Sequence, residues 1–183
     1  MNAAGDSRLA IESAEEVPES EPPQRLDLLI VREDGDWSPF GELDGAVRRA
    51  AGALARHPDC RLDAGMKASI VLASDGLVRR LNRAYRHRDC ATNVLSFPYQ
   101  KPAAGVRAEE NYLGDVILAA QTTYSEAVER GIEPVAHLQH LVVHGLLHLI
   151  GSDHRDDAEA EAMEALETQI LASIGVADPH AAI

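Results

Sequence analysis

Hydrophobic and polar positions along the chain follow a strand-like pattern in four short segments and a helix-like pattern in much of the rest. The strand-like segments are RLDLLIV, KASIVLAS, TNVLSFP and YLGDVILA, which begin at residues 25, 67, 92 and 112. Each is rich in aliphatic residues and flanked by polar or turn-forming residues, and Pro98 stops the third. We therefore predict a sheet of about four strands.

Helical spacing predicts five helices around these strands. The first is LDGAVRRAAGALARH from residue 43, and the second follows Ser74 or Asp75, either of which can cap it. Three more are TTYSEAVERG, PVAHLQHLVVHGLLHLIG and DDAEAEAMEALETQILASIG, and each is closed by a glycine. Because strands dominate early and helices late, the chain is predicted to be an α+β domain. One mixed sheet of about four strands packs with helices around a central histidine-bearing helix.

That central helix, at residues 134–150, is apolar around most of its circumference and yet carries four histidines. They are His137, His140, His144 and His148, and their spacing of three, four and four residues places them on one stripe. One buried histidine is usually a hydrogen-bonded core residue, but four would each need a partner. The stripe therefore favours a functional site, in which His137 and His140 are interpreted as core residues or as groups that orient the ligands.

His144 and His148 lie one helical turn apart, a common spacing for two zinc ligands on one helix. Gly151 can end the helix and turn the chain, so that His154 comes close to this pair. Three histidines leave a fourth position open, as in catalytic zinc sites, whereas Asp153 as a fourth ligand would make the site structural. We predict one Zn2+ per chain on His144, His148 and His154, with another divalent transition metal such as Ni2+ as the alternative.

The spacing of these histidines matches the metalloprotease pattern H-E-x-x-H-x-x-G-x-x-H except at the glutamate, where the chain has Gly145. The chain therefore lacks the glutamate that acts as the base in peptide hydrolysis by the usual route. Phosphodiester cleavage suits the site better, because its transition state gathers negative charge and needs a positive clamp rather than a carboxylate.

The net charge of −13 argues at first against a nucleic-acid partner, but the acids are concentrated in two segments. Residues 1–24 carry a net −5 and residues 153–167 a net −6, whereas residues 79–88, RRLNRAYRHR, hold five arginines. This run is compatible with a local basic surface, although a solvated helix face is its more ordinary explanation. Residues 1–24 are predicted to be a disordered acidic tail, and residues 25–183 a single domain.

Cysteine use and hydropathy indicate where the protein works. Cys60 and Cys90, both in polar sequence surroundings, have no partner at metal-binding spacing and are interpreted as reduced thiols, with a single disulfide as the alternative. No apolar run approaches the roughly 20 residues of a membrane span, and the N-terminal sequence lacks the apolar core of a secretory signal. We expect a cytoplasmic protein with no membrane partner.

Three segments together closely resemble the bacterial YbeY family: VVHGLLHLIGSDH, LNRAYRHRDCATNVLSFP and YLGDVILA. The resemblance extends over roughly residues 26–180 and leaves out the acidic tail. It implies a single-domain endoribonuclease with one zinc on His144, His148 and His154. It also implies single-stranded RNA as substrate, above all precursor 16S rRNA at its 3′ end, and the small ribosomal subunit with its proteins as partners. The implied role is 16S rRNA 3′-end maturation and ribosome quality control, with no DNA substrate.

The resemblance also implies that Arg86, in the YR pair, is important for RNA cleavage. We predict Arg86 and His144 as catalytic residues, and Arg83, Arg86 and Arg88 as RNA contacts. The nucleophile is either a metal-activated water or the RNA's own 2′-hydroxyl. In the alternative, Arg86 forms a salt bridge with Asp89 or an acid of the last helix and serves structure alone.

Two other functions stay open from the sequence. One is a ribosome-assembly binding factor whose zinc is structural, and the other is a metalloprotease-like hydrolase without the usual glutamate. The chain departs from the family pattern at Ala91, where proline is usual, and at Ser152 and His180, where tyrosine is common. None of the three is a predicted metal ligand.

Overall fold

The fold contains one four-stranded mixed sheet, as predicted. The computed structural model describes residues 26–100, 110–152 and 156–181. The strands are β1 (Leu26–Arg32), β2 (Met66–Ala73), β3 (Val94–Pro98) and β4 (Tyr112–Ala119). They lie in the order β1-β2-β4-β3, with β1 parallel to β2, β2 parallel to β4, and β3 antiparallel to β4. The short strand β3 therefore forms one edge of the sheet.

Five α-helices accompany the sheet in the described part of the chain. They are α1 (Leu43–Arg56), α2 (Asp75–Arg86), α3 (Ala120–Glu129), α4 (Pro134–Leu149) and α5 (Asp157–Ala172). The predicted α+β class and its helices are confirmed, with bounds that differ from the predictions by a few residues. A short 3-10 helix at Ser38–Phe40 was not predicted, because three residues carry no periodic signal.

The two faces of the sheet are covered unequally. One face packs against α1 and α4 through a large core that includes Ile70 and Leu118, and α5 packs on these two helices. The other face packs against α2 through a smaller cluster that includes Val78, Leu95 and Ile117. Helix α4 is the central element, as predicted, because it contacts α1, α3, α5, β3 and β4.

Cys60 lies in the main core with 1% of its surface exposed, although its neighbours in the sequence are polar. Burial, assisted by the charge of Asp59, raises the pKa of the Cys60 thiol to about 11. Cys90 is exposed, and both cysteines are free thiols, as predicted. Among the described helices, none has both the length and the hydropathy of a membrane span.

Candidate active site

A cleft of about 560 Å³ opens where edge strand β3 meets the C-terminal half of α4. Strand β3 and the loop before it form one wall, and two histidines of α4 form the other. The lining residues are Arg86, Thr92, Asn93, Val94, Ser96, Pro98, His144, His148, Leu149, Gly151 and Ser152. The cleft thus brings together Arg86, His144 and His148, which are distant in the sequence.

His144 and His148 point their Nε2 atoms toward each other at a separation of 3.1 Å. Two ligands of a tetrahedral zinc, each at about 2.0–2.1 Å from the ion, lie about 3.3 Å apart. The pair is therefore spaced to share one metal ion. The third predicted ligand, His154, lies outside the described residues, as does Asp153.

Glu167 of α5 holds the far side of the His144 ring, because its Oε1 lies 2.7 Å from His144 Nδ1. Only 1% of Glu167 is exposed. An ionised carboxylate can only accept hydrogen bonds, so His144 Nδ1 carries the hydrogen and its Nε2 keeps a lone pair directed at His148. This tautomer is the one that a metal ligand needs.

The second oxygen of Glu167 has two more imidazole neighbours. Oε2 lies 3.2 Å from His140 Nε2 and 2.7 Å from His180 Nε2. Burial would raise the pKa of Glu167, but the hydrogen bonds and charges of His140 and His144 outweigh it and hold the pKa well below its ordinary value. Glu167 is therefore an anion that accepts hydrogen bonds from three histidines.

His140, Glu167 and His180 also form a cluster whose ligand atoms lie within 4.8 Å of one another, close enough to hold a metal ion. A metal on His140 Nε2 would move the ring hydrogen to Nδ1. That atom is buried and has no hydrogen-bond partner among residues 26–100, 110–152 and 156–181. An unsatisfied buried N–H costs about 1–3 kcal/mol. The donor set therefore fits a metal better at His144 and His148, with His140 and His180 as hydrogen-bond donors to Glu167.

His137 lies away from the cleft and is a core histidine. Its Nε2 is 2.7 Å from Glu126 Oε2 on α3, and Asn93 Nδ2 donates to the same oxygen at 2.9 Å. Burial lowers the pKa of His137, although the hydrogen bond to Glu126 opposes this. A neutral His137 therefore donates to Glu126 and ties α4 to α3.

Arg86 is the last residue of α2, and the end of that helix places it at the cleft. His87 follows in the left-handed conformation, with φ 58°, and its backbone N–H caps the helix on Asn82 O. The Asn82 side chain donates to Cys90 O at 2.8 Å and fastens the next loop. Helix end and loop together position the arginine.

Asp89, the predicted alternative partner of Arg86, is bound instead by Arg79 at 2.8 and 3.1 Å. Arg83 lies 4.0 Å from the same carboxylate. No ion pair joins Arg86 to another residue within the described ranges. Arg83 and Arg88 are exposed and do not line the cleft, so the structure brings Arg86 to the histidines and leaves the other two outside.

Gly145 occupies the position where metalloproteases have glutamate, and it faces the sheet. A Cβ atom there would lie 2.4 Å from Val116 Cγ1 and 3.2 Å from Ser96 Oγ. Ser96 Oγ also donates to Gly145 O at 3.1 Å. A side chain at this position would point into β3 and β4, which argues physically against the metalloprotease alternative.

Glu167 and its contact with His180 were missed in the sequence. Helix α5 carries many acids, so its composition hides the one that is buried. Its spacing along the helix could have identified it, because Glu167 shares the buried side of α5 with Met163, Ile170 and Leu171. The departure from the family pattern at His180 therefore lies next to Glu167, which contacts the candidate metal ligand His144.

Comparison with known proteins identifies the family of the chain. The family model described as "Endoribonuclease YbeY" matches residues 42–175. The chain is 47% identical over 157 residues to the "Endoribonuclease YbeY" of Azorhizobium caulinodans, covering 85% of this chain and 96% of that one. It is 43% identical over 163 residues to the protein of the same name from Parvibaculum lavamentivorans, covering 86% of each chain.

A solved structure shares the fold. The solution structure of TM1509 from Thermotoga maritima aligns with a TM-score of 0.52 at 20% identity, covering 85% of this chain and 100% of that one. The family resemblance predicted from three sequence segments is confirmed by the extent and identity of the matches to curated proteins. The chain belongs to the endoribonuclease YbeY family.

Proposed function

We propose that this protein is a zinc-dependent endoribonuclease that cleaves single-stranded RNA in 16S rRNA 3′-end maturation and ribosome quality control. Membership of the endoribonuclease YbeY family supports the endoribonuclease activity and the role in rRNA processing. The observation that carries the proposal is the single cleft shared by the Arg86 guanidinium and the His144–His148 pair.

In this proposal His144, His148 and His154 hold the metal, with zinc as the first choice and Ni2+ as the alternative. When bound, the ion supplies Lewis-acid polarisation of the phosphoryl group and activation of a nucleophile. The Nε2 atoms of His144 and His148 face each other at 3.1 Å, and Glu167 fixes the His144 ring from behind.

Arg86 is the positive clamp of the proposed site. Its planar guanidinium can donate two parallel hydrogen bonds to phosphate oxygens, and it has no acidic partner within the described ranges to compete with the substrate. Its charge therefore stabilises the scissile phosphate as negative charge gathers there. Arg83 and Arg88, exposed next to the cleft-lining arginine, are proposed to contact flanking phosphates.

The outer edge of β3 offers a path for the extended RNA strand. Val94, Ser96 and Pro98 line the cleft along this edge. The proposed partners are precursor 16S rRNA and the small ribosomal subunit with its proteins, in the cytoplasm. Residues 25–183 form the proposed enzyme domain, and residues 1–24 a separate acidic tail.

Family membership does not favour the two alternative functions, a binding factor with a structural zinc and a metalloprotease-like hydrolase. For the hydrolase, the orientation of residue 145 toward Val116 adds a physical objection. For the binding factor, the cleft beside the histidine pair is large enough to admit a substrate group, which a closed structural site would not need.

The test is cleavage of a labelled single-stranded RNA by wild type, Arg86→Ala, His144→Ala and Arg80→Ala, with zinc content measured on the same samples. Arg80 lies on α2 outside the cleft, so its variant removes the same charge without touching the site. We expect Arg86→Ala to keep its zinc and lose about 10²–10³ in rate, as when a charge-stabilising group is removed. His144→Ala loses zinc and activity together, and Arg80→Ala stays close to wild type.

Three outcomes would contradict the proposal. Equal cleavage by all four proteins would identify a contaminating nuclease. Tight zinc binding by wild type without RNA cleavage would favour the binding factor. Equal losses of cleavage rate in Arg80→Ala and Arg86→Ala would show that the arginines act by general attraction of RNA and that Arg86 has no specific role at the scissile phosphate.

A further inference from the structure

We infer that Glu167 is a positioning residue that orients the His144 ring for metal binding. In this inference His180, from the C-terminal segment, holds the Glu167 carboxylate in place. The inference deepens the proposed function, on which its catalytic meaning rests. It concerns residues of α5 and of the segment after α5, neither of which lines the cleft beside Arg86.

The first step is the direction of the His144–Glu167 hydrogen bond. The 2.7 Å contact between His144 Nδ1 and Glu167 Oε1 requires a hydrogen on Nδ1, because the carboxylate offers none. The other tautomer would place a hydrogen on Nε2, which faces His148 Nε2 at 3.1 Å, and would block metal binding. Glu167 thus selects the binding tautomer of the ring before any ion arrives.

The second step concerns what holds the carboxylate itself. His140 from α4 and His180 from the C-terminal segment both approach Oε2, at 3.2 and 2.7 Å. The two rings stand nearly perpendicular, at 83°, with centroids 5.4 Å apart. Glu167 is 1% exposed, so its oxygens depend mainly on these side-chain donors, of which His140 is buried and His180 is exposed. The position of Oε1, and with it the His144 ring, therefore depends on both.

The third step is that the segment bearing His180 is anchored. Asp178 Oδ1 accepts from Thr168 Oγ1 at 3.0 Å and from His180 N at 2.9 Å. Arg130 donates to the Pro179 carbonyl from the end of α3. These contacts hold the residues after α5 against the helix, so the C-terminal segment is structurally part of the metal site.

The experiment measures zinc affinity of the apo full-length protein by competition with a chelator. Glu167→Gln is compared with Glu161→Gln, which removes the same charge from an exposed position of the same helix that lines neither cavity beside His144. We expect Glu167→Gln to bind zinc about 10- to 100-fold more weakly, the usual effect of losing a group that orients a metal ligand. Glu161→Gln should match wild type.

His180 is tested by two substitutions that differ in hydrogen bonding. His180→Leu removes the donor to Oε2 and should weaken zinc binding, whereas His180→Gln retains a side-chain N–H and should restore much of the affinity. In parallel, 15N NMR of the apo protein reports the His144 tautomer. We expect the hydrogen on Nδ1 in wild type and a mixture of tautomers in Glu167→Gln.

Equal zinc affinities for Glu167→Gln and Glu161→Gln, both folded, would overturn the inference. If Glu167→Gln does not fold, the His180 pair decides, because equal affinities for Leu and Gln would overturn it as well. The readouts are independent of RNA cleavage. A wild type that binds zinc through His144 but cuts no RNA would defeat the proposed function and leave this inference standing.

Discussion

At the scale of single residues, Gly145 sets how closely α4 approaches the sheet. An added methyl group would lie 2.4 Å from Val116 Cγ1, a branched side chain with little room to move. We expect Gly145→Ala to lower the free energy of unfolding by about 1–3 kcal/mol, because overpacking outweighs the gain in helix propensity. Urea unfolding followed by circular dichroism measures this change.

Gly52 provides the matched control. It lies inside α1, and a methyl group there would meet only the flexible end of Arg56, at 3.1 Å. Gly52→Ala should therefore stabilise the protein by about 0.5–1 kcal/mol. In a Val116→Ala background, Gly145→Ala should lose most of its cost, since the clashing atoms are gone. Equal effects of the two glycine substitutions in the wild-type background would show that the contact with Val116 does not matter.

The histidines show how far residue-level prediction extends. The spacing of His144 and His148 was sufficient to predict that they face one point, because helix geometry is local. Their partner Glu167 comes from another helix, and His180 from beyond it. Such contacts depend on tertiary packing, which periodicity does not encode. The sequence shows that Gly145 stands where metalloproteases have their glutamate base. Its close approach to Val116 could not be predicted, because that depends on where β4 lies.

At the scale of elements, strand and helix existence followed from local patterns, whereas strand order did not. The pairing of β2 with β4 and the edge position of β3 join segments far apart in the sequence. That order creates the cleft, because only an edge strand can leave its outer side open beside α4. The end of α2 could not be predicted either, because His87 adopts the left-handed conformation that glycine usually provides at a helix end.

Glu126 joins α3, α4 and the loop before β3, and it supports a prediction at this scale. It lies on α3 and accepts hydrogen bonds from His137 on α4 and from Asn93, which lines the cleft. Glu126→Ala would leave the buried His137 N–H without a partner. We expect a loss of about 1–3 kcal/mol in the free energy of unfolding, measured in urea at pH 7.

Glu129 is the control for this prediction, because it is exposed at the end of the same helix. Glu129→Ala should change stability by less than about 0.5 kcal/mol. Matching losses in the two variants would mean that the cost comes from helix charge and not from the buried hydrogen bonds.

At the scale of the whole molecule, charge is distributed unevenly along a chain whose cleft is proposed to bind a polyanion. Residues 1–24 contribute −5 of the net −13. Nearly the whole Azorhizobium relative, 96% of its length, aligns with 85% of this chain, and the family model match begins at residue 42. The acidic N-terminal residues are therefore not expected to be required for cleavage.

Deleting residues 1–24 should leave RNA cleavage intact and strengthen RNA binding at low salt by roughly two- to tenfold, because it removes a net repulsive charge. The difference should vanish near 0.5 M salt, where screening shortens electrostatic interactions to a few ångströms.

A full-length variant with all six acids of this segment changed to their amides separates charge from chain length. If it binds RNA as the deletion does, the segment acts through its charge. If only the deletion changes binding, or if cleavage is lost, residues 1–24 take part in the enzyme by direct contact, and the proposed boundary at residue 25 is wrong.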